Sequence, residues 1–364
     1  MNPEQFIAKR LRFKGKLALV SIALSFLVMI VAVAVSSGFR TEIRSAVADM
    51  AGDVSVDADS AIDLSGVDGV ESMGCVIYQT GIVKNSDLIQ GVMFKADESR
   101  DSLELGVIIP ERLAGMLSLG VGDPMLTYFV GEDKVKARKF TVRGIYSSPV
   151  QADGNLIVLA SMNDLRRVAE LGDGECTGVE IRLEPQYRSD YALRSKTSEI
   201  GAAVYPLHAV SSADRFPQLF DWLSLIDLNV IAIIILMTVV AGFNMISGLL
   251  ILLFRSKSTI GTLKAMGMSD KSIAGVFLRV SARISGIGML AGNAVALLFC
   301  LVQGCTHLLK LNPENYFVSY VPVNVDMGMV LLCDVLAFAA ILLLLMIPTL
   351  FISRVDPART VRAD

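Results

Sequence analysis

Four long apolar runs constrain the fold of this chain more than any other feature of its sequence. They extend over residues 17–35, 223–254, 272–303 and 327–352. About 20 apolar residues are enough for a helix to cross the hydrocarbon core of a membrane, which is roughly 30 Å thick. The chain has 364 residues, of which 53% are hydrophobic, and this is too apolar for an ordinary soluble protein. The runs predict an α-helical membrane protein with four transmembrane helices.

The basic residues next to these runs indicate the orientation. Positively charged loops stay in the cytoplasm, so both termini and the basic segment 255–271 are predicted to lie inside, and residues 39–222 outside. A cleaved signal peptide is the alternative for the first run, because small residues follow it, but the run is too long for a signal peptide and favours an uncleaved anchor. The basic residues at the two ends are Lys9, Arg10, Arg12, Lys14, Lys16, Arg354, Arg359 and Arg362.

Two of the predicted helices are longer than a membrane is thick. Beyond Gly38 the helical pattern continues through Phe39, Ile43, Val47 and Met50. The run 223–254 would be roughly 48 Å long as a helix, against about 30 Å of hydrocarbon. Both helices are therefore predicted to project outside the membrane as stalks.

The segment 52–217 has the composition of a water-soluble domain. Short β-type runs alternate with helical patterns and with Gly, Asp and Ser residues, which predicts an α+β domain. The predicted strands are 54–56, 73–79, 88–95, 125–130, 138–146, 156–160 and 178–183, and the predicted helices are 111–119, 161–171 and 189–200.

Catalytic and metal-binding patterns are missing from the sequence. It has no P-loop, no GxSxG elbow and no HExxH, so we expect no catalytic residue, no metal site and no bound cofactor. A net charge of −3 and the absence of a separate basic patch give no reason to expect nucleic acid. Cys75 and Cys176 both lie in the soluble segment; a disulfide between them is left open, since sequence cannot fix their distance.

The basic segment 255–268 combines an apolar stripe with lysines. Ile260, Leu263 and Gly267 recur at helical spacing, and Met266 lies beside them. A helix of this kind suits docking onto a soluble partner. The alternative is an ordinary basic cytoplasmic loop. The predicted docking residues are Ile260, Leu263, Lys264, Met266 and Gly267, with Lys257 and Lys264 solvated.

The connection after this helix is predicted to be tight. Gly267 can end the helix in the left-handed conformation. Ser269 can cap the next helix, and Asp270 can place a negative charge in its first turn.

Polar and small residues inside the apolar runs predict contacts between helices. Asn244 is expected to bond across helices, and Gly286, Gly288 and Gly292 are expected to allow close helix packing. Asp334 is a carboxylate without a matching partner, for which a packing or interface role is favoured over a proton or ion site.

The order of these parts resembles one family of permeases. FIAKRLRFKGK and SIALSFLVMIVAVAVSSGFR look like its entry helix, which ends in the GF pair Gly38 and Phe39. Three segments of the soluble part resemble strands of its periplasmic core domain: LGVGDPMLTYF, KFTVRGIYSS and CTGVEIRL. Four later pieces are also similar to this family: the FN pair Phe243 and Asn244, the LKAMG run, YVPVNVDM and the DPA of residues 356–358. Together they resemble the MacB/FtsX/LolC-LolE group of ABC systems, closest to the lipoprotein-releasing LolC/LolE branch.

The resemblance implies a permease subunit that extracts lipoproteins from the outer leaflet of the inner membrane of a Gram-negative bacterium. Its implied partners are a cytoplasmic ABC ATPase dimer, which binds the ATP, a second permease copy or paralogue, membrane lipid and the lipoprotein. The hook that recruits a periplasmic carrier is not recognisable after Pro149. The alternatives are a MacB-like exporter of peptides or amphiphiles and an FtsX-like regulator of cell-wall hydrolases. Candidate substrate-lining residues are Val28, Ile30, Val33, Phe39, Met237 and Val240.

The resemblance and the apolar pattern together predict nine segments. They are a cytoplasmic N-terminal segment 1–16, a first transmembrane helix with stalk 17–51, a MacB-like periplasmic core domain 52–217, a second transmembrane helix with stalk 218–254, a cytoplasmic coupling helix 255–271, a third transmembrane helix 272–303, a periplasmic loop 304–325, a fourth transmembrane helix 326–353 and a cytoplasmic tail 354–364.

Overall fold

The computed structural model describes residues 16–98, 103–130, 135–147, 156–312, 316 and 318–349. The described chain separates into two compact units. We call residues 16–39, 224–309 and 321–349 the helical unit, and the described part of 40–223 and 310–320 the sheet unit. The predicted basic N-terminal residues 1–15, residues 148–155 around Pro149, and the predicted tail lie outside the described residues.

Nine helices and nine strands make up the described part of the chain. The helices are α1 Lys16–Ala51, α2 Glu111–Leu117, α3 Met162–Ala169, α4 Asp190–Ala203, α5 Ser212–Arg215, α6 Pro217–Arg255, α7 Lys257–Ala265, α8 Asp270–Thr306 and α9 Met327–Thr349. The strands are β1 Val54–Val56, β2 Val70–Asn85, β3 Leu88–Asp97, β4 Gly106–Pro110, β5 Pro124–Val130, β6 Val135–Tyr146, β7 Ile157–Ala160, β8 Gly178–Leu183 and β9 Ala209–Ser211.

Helices α1, α6, α8 and α9 are each long and apolar enough to cross a membrane. The prediction of four membrane helices beside an α+β domain is confirmed. Helices α1 and α6 contain 36 and 39 residues, more than the roughly 20 that a membrane needs. Both contribute residues to the helical unit and to the sheet unit.

Glycines allow α1 and α8 to pack closely in the helical unit. A Cβ added at Gly288 would lie 2.8 Å from Ile22 Cγ2, and one added at Gly292 would lie 3.0 Å from Phe26 Cβ and still closer to a backbone carbonyl of α1. In the described part of the chain, a Cβ added at Gly286 would meet no side chain and no other helix within 4 Å. The close-packing role predicted for Gly286 stays a prediction.

Six strands of the sheet unit close into a ring. The strand order is β3-β7-β4-β6-β5-β2-β8-β1-β9, and β2 also pairs with β3, which joins β2, β3, β7, β4, β6 and β5 in a circle. Phe94 comes from β3, which pairs with neither β5 nor β6, yet its ring centroid lies 4.9 Å from that of Phe129 on β5 and 5.6 Å from that of Phe140 on β6. These side chains therefore fill the inside of the ring, where all three are buried.

The remaining strands β8, β1 and β9 extend the sheet from β2. They attach through the antiparallel pairing of β2 with β8, which runs from Val70 and Leu183 to Val76 and Gly178. Every predicted strand coincides with an observed strand, but β4 and β9 were not predicted. The five residues of β4 form a short apolar run without alternation, and β9 has only three residues, too few for a period to be recognised.

A matched pair of glycine substitutions in α8 tests the helix packing. We expect Gly292→Ala to lower the melting temperature of the full-length protein in detergent, because its Cβ would force α1 and α8 apart. Gly286→Ala should leave the melting temperature unchanged or raise it slightly, since alanine favours a helix by up to about 1 kcal/mol over glycine. Equal effects of the two substitutions would contradict this packing.

Candidate functional site

The short helix α7 connects α6 to α8 and ends in a defined cap. Gly267 has a φ of +88°. The N–H of Met268 donates to the carbonyl of Leu263 at 3.0 Å, and the N–H of Gly267 donates to the carbonyl of Lys264 at 2.9 Å. These two bonds form a Schellman motif, which satisfies carbonyls that the helix end would otherwise leave without partners. Gly267 thus has the left-handed conformation that its position predicts.

Helix α8 begins at Asp270, three residues after Gly267, and is tied to α7 by an ion pair. The Ser269 hydroxyl accepts from the N–H of Ser272 at 3.3 Å, and Asp270 lies in the first turn. Lys264 Nζ lies 2.9 Å from Asp270 Oδ1, and the Lys264 side chain is only 11% exposed. The prediction that Lys264 is solvated is wrong, because Asp270 holds its ammonium against the turn.

The apolar stripe of α7 faces the protein's own core. Ile260 is 1% exposed and belongs to a cluster that includes Ile273 and Phe277 of α8. Leu263 and Met268 pack against the same cluster. Ile260 thus has partners in the helical unit, and the docking contact predicted for it stays a prediction. A helix of nine residues is too short to be stable without such packing.

The opposite face of α7 is open to a partner. We call Lys257, Thr259, Thr262 and Met266 the outer face of α7; all four are exposed, and Met266 is 71% exposed. Lys257 Nζ lies 4.8 Å from the centre of the Phe254 ring, a cation–π distance. The outer face therefore offers one long apolar side chain, two hydroxyls and a positive charge.

Three polar contacts join the long helices of the helical unit. Asn244 Nδ2 of α6 donates to the Ser21 hydroxyl of α1, so Asn244 has a partner across helices. The Ser36 hydroxyl of α1 donates to Asp227 Oδ1 of α6 at 2.7 Å. Polar groups in a membrane are costly without partners, and cross-helix bonds of this kind fix how the helices meet.

The third contact corrects the view of Asp334 as a carboxylate without a partner. Asn293 Nδ2 of α8 donates to Asp334 Oδ2 of α9, and Asp334 is 7% exposed. Asp334 Oδ1 and Asn293 Oδ1 have no hydrogen-bond partner among the described residues. Asn293 was missed, although an amide inside an apolar run is itself a signal of a polar contact.

The six candidate substrate-lining residues do not share one open surface. Ile30, Val33 and Phe39 are buried, and Ile30 packs in a small cluster with α8 and α9. These three side chains are not exposed in this conformation, and the lining role predicted for them stays a prediction. Val28 and Met237 are half-buried and Val240 is 38% exposed. Met237 lines a narrow cleft between α1, α6 and α9.

The last turns of α1 are tied to the sheet unit by buried charge. Lys95 of β3 is 1% exposed. Its Nζ donates to the carbonyl of Met50 in α1 and lies 2.6 Å from Glu180 Oε2 of β8. The Tyr78 hydroxyl donates to the other oxygen of Glu180. Burial and the Glu180 charge raise the pKa of Tyr78 well above its usual value, so this donor keeps its proton.

Further ion pairs surround this contact. Arg182 Nη1 lies 2.5 Å from Asp49 Oδ1, and Arg44 pairs with Asp190 and donates to the carbonyl of Arg188. We call these groups the stalk anchor, defined by Arg44, Asp49 and Met50 of α1 with Lys95, Glu180, Arg182 and Asp190. Sequence reasoning did not identify the anchor, whose residues come from α1, β3, β8 and α4.

The comparisons with known proteins concern nearly the whole chain. Residues 202–357 match the family described as FtsX-like permease C-terminal. The chain is 22% identical to the lipoprotein-releasing system transmembrane protein LolC of Neisseria meningitidis, over 98% of this chain and 96% of that protein. It is 23% identical to the LolC of Xylella fastidiosa, over 97% of this chain and 94% of that protein. These similarities fit the MacB/FtsX/LolC group of permeases.

Two solved structures also resemble part of the permease. The periplasmic region of MacB from Actinobacillus actinomycetemcomitans gives a TM-score of 0.29 at 12% identity, over 46% of this chain and 92% of that one. The extracellular domain of the transporter YknZ from Gram-positive bacteria gives 0.27 at 13% identity, over 41% and 85%. At these values the fold assignment rests on the permease's own strands and helices.

The family match places α7 within the permease domain. The matched residues 202–357 include α6, α7, α8 and α9, whereas eight of the nine strands precede residue 202. The chain is therefore an inner-membrane, multi-pass permease of the FtsX/LolC type.

Substitution of Lys95 tests the stalk anchor. We expect Lys95→Met to lower the melting temperature of the full-length permease by roughly 10 °C, because it leaves Glu180 buried without its cation, a loss of about 3–5 kcal/mol. The double variant Lys95→Met/Glu180→Met should lose less than the sum of the two single variants. Lys136→Met is the control, since the pair with Glu170 is exposed. A Lys95→Met protein as stable as this control would contradict the anchor.

The contact of Asn293 with Asp334 predicts different effects on stability for substitutions of the two residues. Asp334→Asn should be neutral or stabilising, because the new amide can accept from Asn293 Nδ2 and donate to the unpartnered Asn293 Oδ1. Asn293→Leu should lower the melting temperature in detergent, since it leaves a carboxyl group buried without a donor, at a cost of about 1–3 kcal/mol. A larger loss from Asp334→Asn than from Asn293→Leu would show that this pairing is wrong.

Proposed function

We propose that this permease is the membrane subunit of an ABC transporter that extracts lipoproteins from the outer leaflet of the inner membrane, for sorting to the outer membrane. The observation that carries this proposal is the similarity to two lipoprotein-releasing LolC proteins over almost the full length of both chains. A similarity limited to the membrane helices would support a permease but no particular cargo.

The physical task requires an external source of energy. Removing an acyl chain from lipid costs about 0.8 kcal/mol per CH₂ group, and several tens of such groups leave the membrane with each lipoprotein. Because the sequence contains no P-loop, we propose that a separate cytoplasmic ATPase dimer binds and hydrolyses ATP. This chain is then a non-catalytic subunit that converts the movement of the ATPase into movement of its own helices.

Helix α7 is the proposed point of entry for this movement. Its outer face would contact the ATPase, while its inner face is already packed against α8 through Ile260. The Lys264–Asp270 ion pair and the Schellman motif keep α7 from turning independently of α8. A displacement of α7 would therefore be passed to α8 without being lost in a flexible loop.

Helices α1 and α6 are the proposed carriers of movement to the outside. Each contributes residues to both units. In the sheet unit, the stalk anchor fixes the last turns of α1 by several charged contacts. Under this proposal the sheet unit is periplasmic, both termini are cytoplasmic, and the lipoprotein never crosses the bilayer.

A second permease, either an identical copy or a paralogue, completes the proposed transporter together with lipid and the lipoprotein. We do not propose direct transfer to a periplasmic carrier, since the recruiting hook of LolC is not recognisable after Pro149.

Depletion of the permease distinguishes lipoprotein extraction from the two alternative functions. Lipoproteins that accumulate in the inner membrane, measured by membrane fractionation, are the expected result. Sensitivity to a peptide or drug with normal sorting would instead support a MacB-like exporter. Filamentous cells with normal sorting would support an FtsX-like regulator.

The proposed docking surface makes a separate prediction. Met266→Asp should leave the permease in the membrane and thermally stable, because its side chain is exposed, but should abolish cargo-stimulated ATP hydrolysis in reconstituted vesicles. Met116→Asp is the control, since Met116 is also exposed but lies in α2 of the sheet unit. Leu263→Asp should instead lower stability, because Leu263 packs on the core. Unchanged cargo-stimulated hydrolysis in Met266→Asp would rule out docking through this face.

A further inference from the structure

Two cysteines meet in the sheet unit although their sequence positions are far apart. Cys75 lies on β2, and Cys176 lies two residues before β8. Their Sγ atoms are 2.9 Å apart, and both cysteines are free. A disulfide bond is about 2.05 Å long, so the two sulfurs need to approach by less than about 1 Å to form one.

The backbone holds both cysteines in position. In the β2–β8 ladder Cys75 is opposite Val179, and the N–H of Thr177 donates to the carbonyl of Val76 at 3.0 Å. The N–H of Cys176 donates to the carbonyl of Asp59 at 3.0 Å. Cys75 thus lies within the paired part of β2, and Cys176 is held just before β8 by its backbone hydrogen bond to Asp59.

The two thiols differ in their access to solvent. Cys176 is 1% exposed, whereas Cys75 is half-buried. Burial and the neighbouring Cys75 thiol raise the pKa of Cys176 to about 12. Cys176 is therefore a poor first nucleophile, and Cys75 is the thiol that an external reagent meets first. Among the described residues, no group of three metal-ligating side chains includes either cysteine.

We infer that Cys75 and Cys176 form an intramolecular disulfide when the sheet unit faces an oxidising compartment. Formation of the disulfide in the cell depends on the proposed periplasmic placement of the sheet unit. The short distance between the two sulfurs does not depend on that placement. The disulfide adds a covalent modification site to a pair of residues that the transport function alone does not require.

The oxidation is a thiol–disulfide exchange with an external disulfide, either a dithiol oxidase protein or a small-molecule disulfide. The Cys75 thiolate attacks one sulfur of the oxidant, breaks its S–S bond and releases a thiolate. Cys176 gives up its proton and attacks the Cys75 sulfur, which forms the new bond and releases the second thiolate. Two protein thiols are oxidised, one external disulfide is reduced to two thiols, and the two protons pass to the released thiolates.

The bond would join the two parts of the sheet. The ring of six strands is connected to β8, β1 and β9 through the β2–β8 pairing. The extension is also where α1 enters the sheet, because β1 follows α1 directly and Arg182 of β8 pairs with Asp49. A disulfide at this seam would keep the ring and the extension together when α1 is moved.

The geometry is tested on the purified full-length chain in detergent. The variant Cys300→Ser/Cys305→Ser/Cys333→Ser keeps only the two cysteines of interest. We expect oxidised glutathione to make both thiols inert to a polyethylene glycol maleimide after denaturation, and dithiothreitol to restore two labels. Oxidation should raise the melting temperature by about 10 °C, since the bond closes a loop of roughly 100 residues. Two reactive thiols after oxidation would overturn the inference.

The matched control adds Cys75→Ser to this background. Its single remaining thiol should stay reactive in both buffers, and its melting temperature should not respond to the oxidant. A melting temperature that rises equally in the control would show that the oxidant acts elsewhere and would overturn the inference.

The same labelling on acid-quenched cells tests whether the disulfide forms in the cell. Two protected thiols that dithiothreitol releases are the expected result. Protection in the purified chain with two reactive thiols in cells would overturn the inference for the cell. Lipoprotein fractionation after depletion is scored separately, so a failure of the proposed function and a failure of the disulfide give different results.

Discussion

The ammonium group of Lys95 is buried, and a buried charge is tolerated only where oxygens replace its water. Three elements meet to supply that environment: β3 carries the lysine, β8 carries Glu180, and the end of α1 contributes the carbonyl of Met50. Because the last carbonyls of a helix carry partial negative charge, the end of α1 is a favourable place for a cation. The buried charge therefore links the ring, the extension and the end of α1 at one point.

In the helical unit, the two faces of α7 have different roles. A helix of this length cannot keep its shape in isolation, so its apolar stripe must be covered. In this chain α8 covers it, and the remaining face carries exposed polar groups with Met266. A partner that docks there adds contacts to a helix that is already in place, and need not order it on binding.

Sequence reasoning recovered the features that depend on local pattern. Apolar runs gave the four membrane helices, alternation gave seven of the nine strands, and a glycine followed by a serine and an aspartate gave the α7–α8 corner. Sequence reasoning did not predict the features that depend on which element or protein covers the apolar face of a helix or strand. A period of 3.6 residues places Ile260 on the apolar face but does not say whether α8 or another protein covers that face. The ring of strands, the Asn293–Asp334 contact and the burial of Lys95 are unpredictable for the same reason, since each joins residues from distant parts of the chain.

The closed ring of strands has one more consequence. A sheet with long open edges offers unpaired backbone groups to any neighbouring strand, and this promotes association between copies. In the described part of this sheet, β2 and β3 pair with each other at the point where the ring closes, and the strand at the end of the order, β9, has only three residues. Two such domains crowded together on one membrane surface would therefore have little backbone through which to fuse into a continuous sheet, and each could move as a separate body.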